Sequence, residues 1–224
     1  MKYAILIDAG FLKHKLSSQA APLDAVRVSS FVEAVRSHEA LHGMRLHRVY
    51  WYDAPPLGVR VMKPLRGGRI NFGATTIARS NAALLEELSE FPYFSVRLGD
   101  LVLHGWKVRP GRLPAGATCV TLTADDLGPN VVQKGVDMRL GLDIAALTLK
   151  AHVTAIVLVA GDSDFVPAMK FARREGVQIF LVTLNHPVRE GMREHSDLVL
   201  YLQMGEQESS FDQTSIDEPL DTAA

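Results

Sequence analysis

Short apolar runs that stop abruptly at polar or glycine-containing turns alternate along this chain with longer stretches of helical periodicity. The first run, Tyr3 to Ile7, is rich in β-formers and closes on Asp8-Ala9-Gly10, which reads as a buried strand. Ser30-Phe31-Val32-Glu33 fits a capping box, in which the hydroxyl and the carboxylate satisfy free backbone donors, and it predicts a helix over 31–41. A second strand is expected over 47–52, stopping at Asp53-Ala54-Pro55-Pro56, then a glycine-rich basic connection over 57–76, a helix over 80–90 and a third strand over 94–98. From Gly99 to Val132 the pattern turns irregular, and the runs 101–103 and 118–122 around a basic turn suggest a hairpin-like insertion.

Residues 136–150 are apolar nearly all round, as expected of a helix packed deep against a sheet. The clearest strand, 155–160, leads through Gly161-Asp162-Ser163-Asp164 into a helix over 165–175, which Gly176 stops. A strand over 178–183, a short helix over 187–194 and a last strand over 198–202 follow. This alternation predicts a three-layer α/β/α Rossmann-like fold with a mostly parallel central sheet. One domain is expected over 1–204, followed by an acidic, disordered tail over 205–224.

Composition narrows the setting. The only cysteine, Cys119, excludes an intrachain disulfide and a cysteine-based zinc cluster, which fits a reducing compartment. The N-terminal apolar stretch is too short for a signal segment and is broken by Asp8, and nothing later approaches a membrane span, so a cytoplasmic protein without a membrane partner is expected. The formal charge of −1 hides an asymmetry, because Gly205 to Ala224 holds six acids and no Lys or Arg. The remaining body carries 19 acids against 24 bases, which suits an anionic partner but is also common among domains that bind none.

Asp8 lies at the carboxyl end of the first strand, and Asp162 and Asp164 lie at the carboxyl end of the 155–160 strand. Ligands of parallel sheets collect outside such ends, where the strand order reverses. Were the two strands neighbours, about 4.8 Å apart, their tips would bring several acids into one small volume. Carboxylates so placed repel one another and resist burial in charged form, so they need a cation, and hard oxygen ligands select Mg²⁺ or Mn²⁺.

Each acid also has a structural explanation. Asp164 could cap the following helix, Asp162 could form a turn, and Asp137 sits in a first helical turn that favours any carboxylate. Asp143, six residues on, is rotated about 240° from Asp137 and belongs to another face, where it would support the site or hold a loop. Asp8 is the hardest to dismiss, because a charge directly after Ile5-Leu6-Ile7 must enter the cleft or find a partner. The scattered histidines are not expected to ligate a metal, no phosphate-binding glycine loop follows the first strand, and neither Ser163 nor Cys119 has an evident base beside it.

Ile7-Asp8-Ala9-Gly10-Phe11, Lys134-Gly135-Val136-Asp137 with Asp143, and Ala160-Gly161-Asp162-Ser163-Asp164-Phe165-Val166-Pro167 together resemble the NYN domain family in its LabA-like branch, among the PIN-like nucleases. The resemblance extends over about residues 1–202 and implies a PIN-like fold, a Mg²⁺ or Mn²⁺ site and an RNA substrate. It places the metal on Asp8, Asp137, Asp162 and Asp164, with Asp143, Ser163 and Lys134 in supporting positions. Phe11 stands where many members have Asn, and Ala160 replaces a frequent Ser, which would alter contacts around the metal ligands.

The expected activity is metal-dependent hydrolysis of RNA, single-stranded or structured. Arg60, Lys63, Arg66, Arg69, Lys107, Arg109 and Arg112 would grip the backbone, and Trp51, Tyr52 or Trp106 would stack on bases or simply pack. The competing expectation is a regulatory module that keeps the acidic pocket and binds RNA or protein without turnover. A phosphatase of related fold is disfavoured by Gly10, which stands where a second Asp would be needed. Assembly into a homo-oligomer is compatible with either activity.

Overall fold

A computed structural model describes residues 1–18 and 21–202; the acidic tail expected over 205–224 lies outside the described residues. Six parallel strands form the central sheet: β1 (Lys2–Asp8), β2 (Arg45–Asp53), β5 (Phe94–Leu98), β8 (Ala155–Val159), β9 (Gln178–Val182) and β10 (Leu198–Val199). Their order is β10-β9-β8-β1-β2-β5. The chain builds outward from β1 through β2 to β5, then returns to the other side of β1 and builds outward again through β8, β9 and β10. The order therefore reverses between β1 and β8, where the loops leaving the two strands diverge to opposite faces and open a crevice.

Alternation within the strands supplies both faces. Tyr3, Ile5, Ile7, Val157 and Val159 face one layer of helices, α1 (Ala9–Leu16), α2 (Ala25–Arg36) and α3 (Thr76–Glu90). Ala4, Leu6, Ile156 and Leu158 face the other, α4 (Val136–Leu149), α5 (Val166–Arg174) and α6 (Glu190–Glu194). Because β1 and β8 are buried on both sides, they read as continuous apolar runs, and each such Leu, Ile or Val contributes about 1.5–3 kcal/mol of burial. The expected three-layer α/β/α architecture with a parallel sheet is what the chain forms.

Several boundaries differ from expectation. The helix expected over 31–41 starts earlier, at Ala25, because the Asp24 carboxylate accepts from the Arg27 amide at 2.8 Å and caps it. Ser30 is interior to α2, and its hydroxyl donates to the Val26 carbonyl instead of capping. Thr75 caps α3 through the Ala78 amide, which moves that helix start from 80 to 76. Helix α1 went unanticipated because its cap is the last residue of the first strand. The short helix expected from 187 begins at Glu190, and the last strand ends at Val199.

The connection over 57–76 contains an antiparallel ribbon of β3 (Arg60–Met62) and β4 (Arg69–Asn71). The insertion is a hairpin, but β6 (Asp100–Val108) pairs with β7 (Leu127–Lys134) and not with residues 118–122, which form no strand. Its register slips between Leu103 and Trp106, and Trp106 then faces Pro129, a residue that a two-stranded ribbon with free edges can accommodate. The hairpin leaves the sheet just after β5 and returns directly into α4. Gly135 makes that last corner at φ 77°, a left-handed conformation costly for other residues, and sets Val136 and Asp137 in the first turn of the helix.

Candidate metal centre

Asp8 ends β1 and caps α1 at the same time. Its Oδ1 accepts from the Phe11 amide at 3.2 Å, so one carboxylate oxygen closes the helix while the side chain stays at the mouth of the crevice. Asp162 repeats the device across the crevice, where Oδ1 accepts from the Asp164 amide at 3.0 Å and caps the 3-10 turn Ser163–Phe165 that leads into α5. The capping role considered for Asp164 thus belongs to Asp162, and the Asp164 side chain is left exposed. Asp137 is exposed at the start of α4, which packs against the turn carrying Asp162 and Asp164.

These four carboxylates act on one another. The Asp8 carboxyl is pushed above the usual range, first by burial and then by the charges of Asp137 and Asp162, against which the Phe11 and Gly10 amides pull it down. Asp137, although exposed as a residue, is raised as well, first by partial desolvation of its carboxyl and then by repulsion from Asp162 and Asp164. None of the four forms a salt bridge among the described residues. The group is open, since no three Asp, Glu, His or Cys side chains among the described residues are gathered closely enough to cage an ion. Its donor chemistry nevertheless fits a hard divalent cation: carboxylate oxygens only, mutual repulsion, and capping bonds that occupy Oδ1 of both Asp8 and Asp162.

Gly161 lies between the two caps. A Cβ built there would stand 2.6 Å from the Phe11 ring and 3.1 Å from that of His186, so only glycine lets the loop after β8 pass so close to α1. Phe11 and His186 meet edge to face with centroids 6.0 Å apart, which ties α1 to the loop after β9. Arg189 in that loop donates from Nη1 to Ser163 Oγ at 2.7 Å, which places a guanidinium beside the Asp162–Asp164 turn. Composition did not single out His186 or Arg189. Topology could have done so, because the strand order puts the loop after β9 next to the crevice.

The remaining candidates lie elsewhere or are committed to other bonds. Asp143 faces β2 and β5, where its Oδ2 accepts from the Tyr52 hydroxyl at 2.9 Å and from Arg97 Nε at 3.0 Å. Burial, with Asp143 beside it, pushes the Tyr52 hydroxyl well above its ordinary range. Lys134 is exposed at the end of β7. Trp51 and Tyr52 have no exposed surface, so neither can stack on a base. Trp106 packs on Phe72 with ring centroids 6.4 Å apart, which brings the two basic segments together. Arg60, Arg66, Arg69, Lys107 and Arg109 are exposed around that junction, whereas Lys63 stands 4.0 Å from Asp125 and Arg112 3.1 Å from Asp126, so the basic surface is partly neutralised.

No helix among the described residues is long and apolar enough to cross a membrane. No curated protein matches the chain. A solved structure of a protein of unknown function from Vibrio parahaemolyticus resembles it with a TM-score of 0.49 and 15% sequence identity, over 89% of this chain and 91% of that one. Residues 115–199 match the NYN domain, and that stretch carries Asp137, Asp143, Asp162 and Asp164 while Asp8 lies before it.

Proposed function

We propose that the protein hydrolyses phosphodiester bonds of RNA with Mg²⁺ or Mn²⁺ held by Asp8, Asp137, Asp162 and Asp164, in the manner of the LabA-like branch of the NYN domain family, among the PIN-like nucleases. The observation that supports this reading is an open neighbourhood of four carboxylates, with no salt bridge among the described residues, in which Asp137 and Asp162 raise Asp8 while Asp162 and Asp164 raise Asp137. A bound divalent ion would supply a water of lowered pKa as nucleophile and would neutralise charge on the leaving oxygen. The chain's own part is positional. Helix caps hold Asp8 and Asp162 by one oxygen each, α4 presents Asp137, and burial at Asp8 strengthens electrostatics by excluding water. The exposed basic residues of the two ribbons extend the surface that an RNA backbone would follow.

The openness of the group favours a second reading, a regulatory module that binds RNA or protein without turnover. Incubation of a mixed RNA pool with Mn²⁺, with and without EDTA, tests the choice. Chelator-sensitive cleavage that disappears in Asp162→Asn supports the nuclease. A Mn²⁺-dependent rise in melting temperature without any cleavage supports the binding module.

A further inference from the structure

An anionic polymer entering a group of four carboxylates meets repulsion that a metal offsets only where it is bound, so the crevice needs a fixed positive charge of its own. Arg189 is the basic side chain that a hydrogen bond ties to the turn carrying Asp162 and Asp164. It is exposed, and it forms no salt bridge among the described residues, although acids flank its partner on both sides. The Ser163 hydroxyl occupies Nη1 at 2.7 Å and leaves the other guanidinium donors available. The backbone near it is packed where His186 is wedged against Phe11 and Gly161, just after Leu184 takes a left-handed conformation at φ 48°, uncommon for a bulky residue.

The geometry points to Arg189 as a phosphate-binding residue that receives the backbone of a single-stranded RNA beside the aspartates. The assignment rests on the reading of the crevice as an RNA site, and it adds the residue that offsets the crevice's negative charge. Ser163 acts through Arg189 as a positioning residue, and a planar fork aimed from a fixed hydroxyl suits two oxygens of one phosphate better than a lysine would.

The experiment uses the full chain in Mn²⁺ with a fluorescent phosphorothioate-linked single-stranded RNA, and it reads affinity by anisotropy over a range of salt. Arg189→Ala should weaken binding by about tenfold or more and lower the slope of log affinity against log salt by about one. Arg189→Lys should keep the salt slope and recover part of the affinity, and Ser163→Ala should lose less than Arg189→Ala because the charge remains. The Mn²⁺-dependent rise in melting temperature should be unchanged in all three. Affinity within twofold of wild type in Arg189→Ala overturns the assignment, as does an equal loss in Ser163→Ala and Arg189→Ala, which would make the contact a loop tether. Absence of RNA binding by the wild type overturns both this inference and the RNA reading. Binding that depends on Arg189 without any cleavage of ordinary RNA keeps the inference and removes only the nuclease.

Discussion

Two sets of carboxylates in this molecule have the same chemistry and opposite surroundings. Asp53 ends β2 as Asp8 ends β1, one strand away on the same edge of the sheet. Asp53 is buried and saturated: Lys13 Nζ lies 2.6 Å from Oδ2, the Trp51 indole donates to the same oxygen at 3.2 Å, and the Ala54 amide donates to Oδ1 at 2.8 Å. Asp143 is answered by Tyr52 and Arg97. Asp8, Asp137, Asp162 and Asp164 form no salt bridge among the described residues, and Asp8 and Asp137 are pushed towards protonation by desolvation and then by neighbouring acids of the group. A folded protein pairs the acids it buries. The difference teaches that the fold neutralises the acids it encloses beside β2 and leaves those at the crevice open to whatever approaches it.

The largest expected effect tests the saturated set. Asp53→Ala strips Lys13 and the Trp51 indole of their partner in a buried setting, and the expected cost is about 3–5 kcal/mol of stability, read by chemical denaturation. A loss under about 1 kcal/mol would mean that the latch is no more than a surface pair and would weaken the contrast. The next effect falls on the other set. Asp162→Asn keeps the shape and the capping oxygen but removes the charge that a hard cation requires, so RNA cleavage should fall at least about a hundredfold with little change in the metal-free melting temperature. Full activity, measured beside Asp8→Asn, would reduce Asp162 to a turn former.

Metal should separate the sets again. Mn²⁺ at a hundred times its dissociation constant should stabilise the fold by about 2.7 kcal/mol at neutral pH, and Asp137→Asn should reduce that gain, whereas Asp143→Asn should leave it in place. Equal melting temperatures across a wide Mn²⁺ titration would remove the centre. Equal loss of the gain in both variants would return Asp143 to the site.

Much of the comparison is legible in the residues alone, because strand ends followed by acids are local signals. Asp8 and Asp162 stand out after Ile5-Leu6-Ile7 and after the run 155–160, and Gly135 announces the start of α4. What stayed hidden depends on partners distant in sequence. Asp143 sits 91 residues from Tyr52 and 46 from Arg97, so nothing near it reveals that it is neutralised. Asp53 meets Lys13 across 40 residues. Trp51 and Tyr52 resemble a stacking platform until both faces of β2 are covered by helices. The run 118–122 has strand-like composition but no pairing partner among the described residues, and β propensity without one does not make a strand.

The smallest expected effect is the sharpest on cause. In the metal-free protein, the raised Asp8 and Asp137 bind protons more readily when folded than when unfolded. The folded state therefore holds the extra protons in the window between the ordinary carboxylate range and the raised values, and stability falls as pH rises through that window. The benefit of protonation is fully present below the unfolded value and is lost above the folded one. Asp8→Asn removes one of the repelling charges while its side-chain oxygen can still accept from the Phe11 amide, so it should flatten this part of the pH profile. At neutral pH it should leave the metal-free fold unchanged or slightly more stable, by about 0.5 kcal/mol at most. Saturating Mn²⁺ should reverse the slope in the wild type, because ion and proton compete for the same oxygens, and should do so less in the variant. Melting curves from pH 4 to 8 with and without Mn²⁺ read all of this, the span being roughly that over which shifted carboxylates titrate. A metal-free profile for Asp8→Asn that overlays the wild type, or that shows a loss as large as Asp53→Ala, would mean that Asp8 is held in the same way as Asp53.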